Sequence, residues 1–164
     1  MNHRDTENTE EIQRPCVAGK EIGVDEECFV DDDMEPDPEL NRVTNAVIGA
    51  AIEVHRTLGP GHLESVYEEA MAIEMELRGV PYRRQVEFEL TYKGRPVGKS
   101  RLDFLIEETV VLELKAIDQF APIHSAKMIS YLNVTGHPLG LLVNFNVPAL
   151  RHGIKRIAGR RRRR

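Results

Sequence analysis

Apolar residues recur at three- and four-residue spacing over two stretches of the chain, residues 39–57 and 62–78. That period matches one face of an α-helix, so the pattern predicts two amphipathic helices. Segment 58–61 (LGPG) separates them, because glycine and proline interrupt a helix. Gly79 follows the second stretch at the position of a C-terminal glycine cap.

The pattern then changes to alternation and short apolar runs, which predict β-strands. These strands cover residues 82–92, 95–106, 110–117 and 139–145, with a short edge strand over 154–158. A third helix over 122–136 is predicted to begin at Pro122 and to end at Gly136. The order α-α-β-β-β-α-β predicts an α/β fold of the α+β type, in which helices flank a mixed sheet.

Charged residues divide the chain into three parts. Residues 1–40 carry 14 acidic and three basic residues, 151–164 carry eight basic and no acidic residues, and the remainder is nearly neutral. We interpret 1–38 as an acidic disordered tail, 39–158 as one folded domain and 159–164 as a basic arginine tail. The acidic tail could simply be solvated, or it could mimic nucleic acid. The arginine tail could bind phosphates, or it too could remain solvated.

The sequence indicates neither a membrane span nor export. No run approaches the roughly 18 apolar residues that a span requires, and the N-terminus lacks the apolar core of a signal peptide. Both cysteines, Cys16 and Cys28, precede the predicted domain. A disulfide framework is therefore excluded there, which fits a reducing compartment. We expect a cytoplasmic protein that has no membrane partner.

Two predicted strands carry charged residues where a buried strand has apolar ones. Asp103 interrupts the run 102–106, and Glu113 and Lys115 interrupt the run 109–117. Side chains alternate faces along a strand, so Glu113 and Lys115 point the same way, and a hairpin between the runs brings Asp103 near Glu113. Because burying unpaired charge is costly, we expect these side chains to have a function.

This set of residues suits a metal-dependent phosphodiesterase. Mg²⁺ prefers a few carboxylates together with waters and substrate oxygens, and Asp103, Glu113 and the Leu114 carbonyl can supply such oxygens. Lys115 could orient or deprotonate the attacking water, or stabilise the charge that develops on the phosphate. The alternative is an amphipathic edge strand with a Glu–Lys pair on its surface, and the triad alone does not separate the two.

Two residues of the second predicted helix could extend this site. Glu64 lies in the first turn, where a carboxylate either interacts favourably with the helix dipole or reaches the metal as a third acid. Tyr67 lies one turn later on the same face, where it could contact a phosphate, brace Glu64 or be a core aromatic residue.

The pattern Gly61-x-x-Glu64-x-x-Tyr67 resembles the signature of the GxxExxY proteins, within the PD-(D/E)XK nuclease superfamily. Further segments match in order, namely 58–61 (LGPG), 64–69 (ESVYEE), 84–86 (RQV), 92–94 (YKG), 103–105 (DFL), 113–116 (ELKA), 122–124 (PIH) and 142–145 (LVNF). The resemblance covers residues 40–158 and implies a restriction-endonuclease-like fold. It also implies an active site of Asp103, Glu113 and Lys115, with Glu64 as the helical carboxylate.

The resemblance further implies that Gln85 lines the site and that His124 contacts substrate. The alternatives are that Gln85 is an ordinary polar strand residue and that His124 is structural. Where the family tends to have Glu-Ala-Gln after Pro-Ile-His, this chain has 125–127 (SAK). The glutamine is expected to face the active site. Lys127 could replace it as a phosphate contact, or could place excess positive charge beside Lys115.

The sequence therefore predicts a nuclease that hydrolyses phosphodiester bonds of nucleic acid, DNA in preference to RNA, with Mg²⁺ or Mn²⁺ as cofactor. A chain of 18.6 kDa offers little surface for sequence-specific recognition, so a homodimer or a partner subunit would be in keeping with this function. The alternative is a catalytically silent nuclease fold that binds nucleic acid or a partner protein without cutting.

Overall fold

The computed structural model describes residues 37–159 of the 164-residue chain. Apart from Asp37, Pro38 and Gly159, the predicted acidic and arginine tails lie outside this part. The described part forms α1 (Pro38–Leu58), α2 (Glu64–Leu77), β1 (Tyr82–Tyr92), β2 (Arg95–Ile106), β3 (Val110–Lys115), α3 (Pro122–Thr135), β4 (Leu139–Asn144) and β5 (Ile154–Ala158). These three helices and five strands form a mixed α/β architecture, which confirms the predicted fold class.

The sheet has the strand order β1-β2-β3-β4-β5. Strands β1, β2 and β3 form an antiparallel meander, β4 lies parallel to β3, and β5 closes the other edge antiparallel to β4. A parallel pair cannot be joined by a tight turn, and α3 provides the crossover between β3 and β4.

The helices cover both faces of the sheet. Helices α1 and α2 pack on one face around a large apolar core that includes Val47, Tyr67, Met71, Phe104, Leu112 and Phe145. Helix α3 packs on the opposite face around a smaller core formed by Leu102, Leu105, Val111, Met128, Tyr131, Leu132 and Leu142. Strand β3 is buried between the two layers, so a charge on this strand lies inside the protein.

The start of α1 follows from local side chains, whereas α2 has no side-chain cap. Asp37 caps α1 by accepting the Glu39 N–H at 2.9 Å, and Pro38 occupies the first helical turn, where no intrahelical N–H bond is needed. Helix α2 begins at Glu64, two residues later than predicted, because His62 still belongs to the preceding loop.

The side chains of β1 and β2 do not keep to one alternation between the two faces of the sheet, and the irregularity lies at Gln85. This residue has φ +52°, a left-handed conformation that is uncommon for a residue with a side chain. In the strand register Gln85 lies opposite Asp103, between ladder pairs that involve Phe104 and Leu102. Phe104 packs into the α1–α2 core, whereas Leu102 packs into the α3 core. The side chains of the hairpin therefore switch from one face of the sheet to the other at Gln85 and Asp103.

A short 3-10 turn at Leu150–His152 precedes β5 and was not predicted. Strand β3 ends at Lys115, two residues before the predicted end, because the Ile117 N–H bonds to the Asn144 side chain at 3.0 Å. Within residues 37–159, no helix is both long enough and apolar enough to cross a membrane.

Candidate active site

The antiparallel pairing of β2 with β3 brings Asp103 beside Glu113. The ladder pair Phe104–Leu112 lies next to both acids. The Leu114 N–H donates to Asp103 Oδ2 at 2.9 Å, and the Asp103 backbone acts to lower the pKa of Glu113. The Asp103 side chain is thus bonded to the backbone of β3 beside Glu113, which holds the two carboxylates close together.

Neither carboxyl group is freely accessible to water, since Glu113 is 2% exposed and Asp103 is half-buried. Burial and, after it, the nearby Asp103 charge raise the pKa of Glu113 to about 7, although Lys127 and Lys115 act to lower it. Burial also raises the pKa of Asp103, against the opposing effects of the Leu114 N–H and the Lys115 ammonium. The pair therefore favours binding a proton or another cation.

Lys115 joins this pair to α2. Its Nζ lies 3.8 Å from Glu113 Oε2 and 3.4 Å from Glu64 Oε1, and it also donates to the Leu114 carbonyl. The predicted triad and the helical acid thus meet in one cluster. The Leu114 carbonyl, predicted to bind metal, accepts the lysine in this arrangement. Its role as a metal ligand stays a prediction.

The three acids of the cluster, Asp103, Glu113 and Glu64, are not arranged as a complete metal site. Among residues 37–159, no group of three or more His, Cys, Asp or Glu side chains is arranged to hold a metal ion. The reason is visible at Glu64, which is half-exposed and contacts the Lys115 ammonium rather than the other two acids. The buried Glu113 and the half-buried Asp103 form the acidic pair without Glu64.

Helix α3 contributes a second lysine. Lys127 Nζ lies 3.4 Å from Glu113 Oε2 and 5.0 Å from the centre of the Tyr131 ring. Burial lowers the pKa of Lys127, but the contacts with Glu113 and Tyr131 together raise it by more, so the ammonium form is favoured. Glu113 Oε2 therefore faces two ammonium groups, those of Lys115 and Lys127.

Glu68 is a member of the cluster that the sequence analysis did not single out. It accepts from Gln85 Nε2 at 2.5 Å and pairs with Arg84 at 3.1 Å, and its charge raises the pKa of Asp103. Its spacing of four residues from Glu64 could have indicated it, since such residues share a helix face. Gln85 thus contacts Glu68, and its predicted role in lining the site stays a prediction.

Two buried polar side-chain atoms in the described part of the chain lack a hydrogen-bond partner, Glu113 Oε1 and Gln85 Oε1. Leaving a buried acceptor without a partner is costly, and a carboxylate oxygen more so. Both atoms belong to this cluster. An unpartnered carboxylate oxygen beside a second carboxylate is the donor set that Mg²⁺ or Mn²⁺ prefers, so the residues present fit a divalent cation.

Tyr67 and His124 bond residues outside the acidic cluster. Tyr67 is fully buried and stacks on Phe145, and its hydroxyl donates to the Gly59 carbonyl at 2.7 Å and accepts the His62 N–H at 3.2 Å. His124 Nδ1 accepts the Ala121 N–H at 2.9 Å at the start of α3. Both side chains thus have structural contacts, and their predicted contacts with substrate stay predictions.

Comparison with known proteins agrees with this geometry. The sequence model of the PD-(D/E)XK nuclease superfamily matches residues 41–157. The chain belongs to this superfamily. Asp103 and the segment Glu113-Leu114-Lys115 have the residue types of the motif for which the superfamily is named, and the described elements are consistent with its restriction-endonuclease-like fold.

Two other comparisons add little to this PD-(D/E)XK assignment. No curated protein matches the chain. A solved structure described as the crystal structure of SSO0001 matches with 20% sequence identity and a TM-score of 0.41, over 71% of this chain. The match covers 65% of that protein, which is less than two thirds of its length.

Proposed function

We propose that this PD-(D/E)XK protein is a metal-dependent nuclease that hydrolyses phosphodiester bonds of nucleic acid. The observation that carries the proposal is the Asp103–Glu113 pair, in which the buried Glu113 carboxylate has one oxygen without a partner and the Lys115 ammonium beside it. A protein gains nothing in stability from such a pair, so we attribute it to the binding of a cation and a phosphate.

The chain's own residues divide the chemistry among them. Asp103 and Glu113 would hold Mg²⁺ or Mn²⁺, which when bound supplies charge neutralisation and acidifies a water. Lys115 would donate to a non-bridging phosphate oxygen or hold the attacking water in line. Glu64 keeps the Lys115 ammonium at this position through their 3.4 Å contact, while being exposed enough to reach an incoming ligand.

Finer features of the proposal rest on the sequence. The match to the GxxExxY signature around Glu64 supports membership of that group, DNA as the preferred substrate and a contact from His124 or Tyr67 to the substrate. The absence of cysteine between residues 37 and 159 supports a cytoplasmic location. The small size of the domain supports action as a homodimer or with a partner subunit.

The test of the nuclease proposal is a cleavage panel. Single-stranded, duplex and branched DNA and matched RNA are incubated with Mg²⁺ or Mn²⁺ and with wild type, Lys115→Ala or Lys99→Ala. Lys99 serves as the control because it pairs with Glu87 on the exposed hairpin, away from the site. We expect Lys115→Ala to lose about 100-fold or more in rate, as when one transition-state donor is removed, and Lys99→Ala to match wild type.

A silent binding module is the alternative that one observation favours. Lys115 and Lys127 both face Glu113 Oε2, and such a charge-balanced site could persist without metal. The same panel separates the two functions. If wild type binds nucleic acid but cuts none of it with any ion, the silent module is supported. If wild type and Lys115→Ala cleave equally, the proposed nuclease loses its basis.

A further inference from the structure

The side chain of Glu113 meets two different environments at its two oxygens. Oε2 lies 3.4 Å from Lys127 Nζ and 3.8 Å from Lys115 Nζ, whereas Oε1 is buried and has no partner. A divalent cation bound to this carboxylate would lie within a few ångströms of both ammonium groups. In a poorly solvated site that repulsion is strong, so one of the ammonium groups must move before the cation binds well.

The two lysines differ in their freedom to move. Lys115 lies on the central strand β3, its side chain is 14% exposed, and it is held by Glu64 and the Leu114 carbonyl. Lys127 lies on α3, its side chain is 45% exposed, and its ammonium contacts Tyr131 as well as Glu113. Lys127 is therefore the lysine that can leave Glu113 and be hydrated at the surface.

Helix α3 fixes the base of the Lys127 side chain but not its tip. Met128, the next residue, is buried in the core beneath α3, and Tyr131 of the following turn packs against Phe88 of β1. The backbone at Lys127 is thus anchored, and rotation about the long side chain is the movement left to it. The side chain is long enough and exposed enough to turn its ammonium from Glu113 towards solvent.

We propose that Lys127 is a built-in competitor of the divalent cation for Glu113. The inference rests on the metal site of the proposed function and adds a property to it. In the metal-free protein the ammonium balances the Glu113 charge. When the cation binds, Lys127 leaves Glu113 and its charge becomes free for an anionic ligand, for which the phosphate of the substrate is the matching chemistry. Cation affinity is therefore lower than the two carboxylates alone would give.

The test measures Mn²⁺ binding to the whole chain by isothermal titration calorimetry, without any substrate. The variants are Lys127→Gln, which removes the charge at similar length, Lys127→Arg, which keeps it, and Lys99→Gln, which removes an exposed ion-paired lysine elsewhere. We expect Lys127→Gln to bind Mn²⁺ about tenfold more tightly than wild type, the factor expected for removal of a partly exposed ion pair. Lys127→Arg and Lys99→Gln should bind like wild type.

Each outcome decides the inference. Equal Mn²⁺ affinity of wild type and Lys127→Gln, or weaker binding by the variant, overturns it and leaves the metal site standing. An equal gain from Lys127→Arg also overturns it, because the charge would then not matter. Tighter Mn²⁺ binding by Lys127→Gln, and by no other variant, supports it. Failure of every variant to bind Mn²⁺ overturns this inference and the proposed metal site together. Thermal unfolding in chelator confirms that each variant is folded.

Discussion

At the scale of single residues, the charge state of Glu113 controls the candidate site. The carboxyl group is buried, and its pKa is raised to about 7 by burial and by the charge of Asp103. Two lysines lower that pKa without cancelling the rise. A cation bound to the carboxylates would neutralise the negative charge of Glu113, as a proton does. Metal binding and proton binding at Glu113 are therefore expected to compete.

This competition predicts how stability depends on pH in a chelator. A carboxyl group with a higher pKa in the folded than in the unfolded state stabilises the fold below the unfolded value near 4.5, and that stability is lost as the pH rises to about 7. Glu113→Gln cannot ionise. Relative to wild type, the variant should gain about 1–3 kcal/mol in unfolding free energy between pH 4.5 and 8.

Urea unfolding at several pH values in chelator measures this difference. His137, whose pKa burial lowers, titrates in both proteins and cancels in the comparison. Glu87→Gln, on the exposed hairpin, is the matched control for the loss of one carboxyl group. A Glu113→Gln difference that is flat across the range would show that Glu113 has the same pKa in the folded and unfolded states, which contradicts the raised pKa.

At the scale of elements, Tyr67 links α2 to the loop that precedes Glu64. Its hydroxyl bonds the Gly59 carbonyl and the His62 N–H, and its ring stacks on Phe145 at 4.4 Å. The first turn of α2 is thereby fixed against the core. Because Glu64 lies in that turn, the position of its carboxylate depends on this loop.

Tyr67→Phe separates this bracing role from the predicted contact with substrate. The variant keeps the stack on Phe145 and loses both hydroxyl bonds, so the unfolding free energy should fall by about 1–2 kcal/mol. Cleavage should fall less than in Lys115→Ala, with KM unchanged. If Tyr67 instead contacts a phosphate, KM will rise while urea unfolding stays like that of wild type.

Much of the element structure followed from the sequence pattern. The bounds of β1, β2 and β5 are those predicted, because alternation and turn residues specify exposed hairpins and edges. The late start of α2 and the early end of β3 were not predictable, because they depend on distant partners. Tyr67 bonds the loop before α2, and the Asn144 side chain bonds both the N–H and the carbonyl of Ile117.

The candidate site was predictable in part for a similar reason. Alternation along adjacent strands placed Asp103, Glu113 and Lys115 together without knowledge of the rest of the fold. The contact of Lys127 with Glu113 depends on how α3 packs on the sheet. The bond from Gln85 to Glu68 depends on a left-handed residue inside a strand, and no pattern of apolar positions indicates such a residue.

At the scale of the whole molecule, the site lies where the sheet meets the helices on both of its faces. Glu64 comes from the α2 side, Lys127 from the α3 side, and Asp103, Glu113 and Lys115 from the strands between them. The fold must therefore be complete before these charges meet. A cation that binds only the folded protein would in turn stabilise the whole domain.

The most direct test of the central claim is a crystal structure of the protein grown with Mn²⁺, with anomalous diffraction recorded to locate the ion. We expect an anomalous peak within bonding distance of the Asp103 and Glu113 carboxylates, with the Lys127 ammonium displaced from Glu113 Oε2. A map with no peak between these two carboxylates at saturating Mn²⁺, and with Lys127 still on Glu113, would contradict the claim.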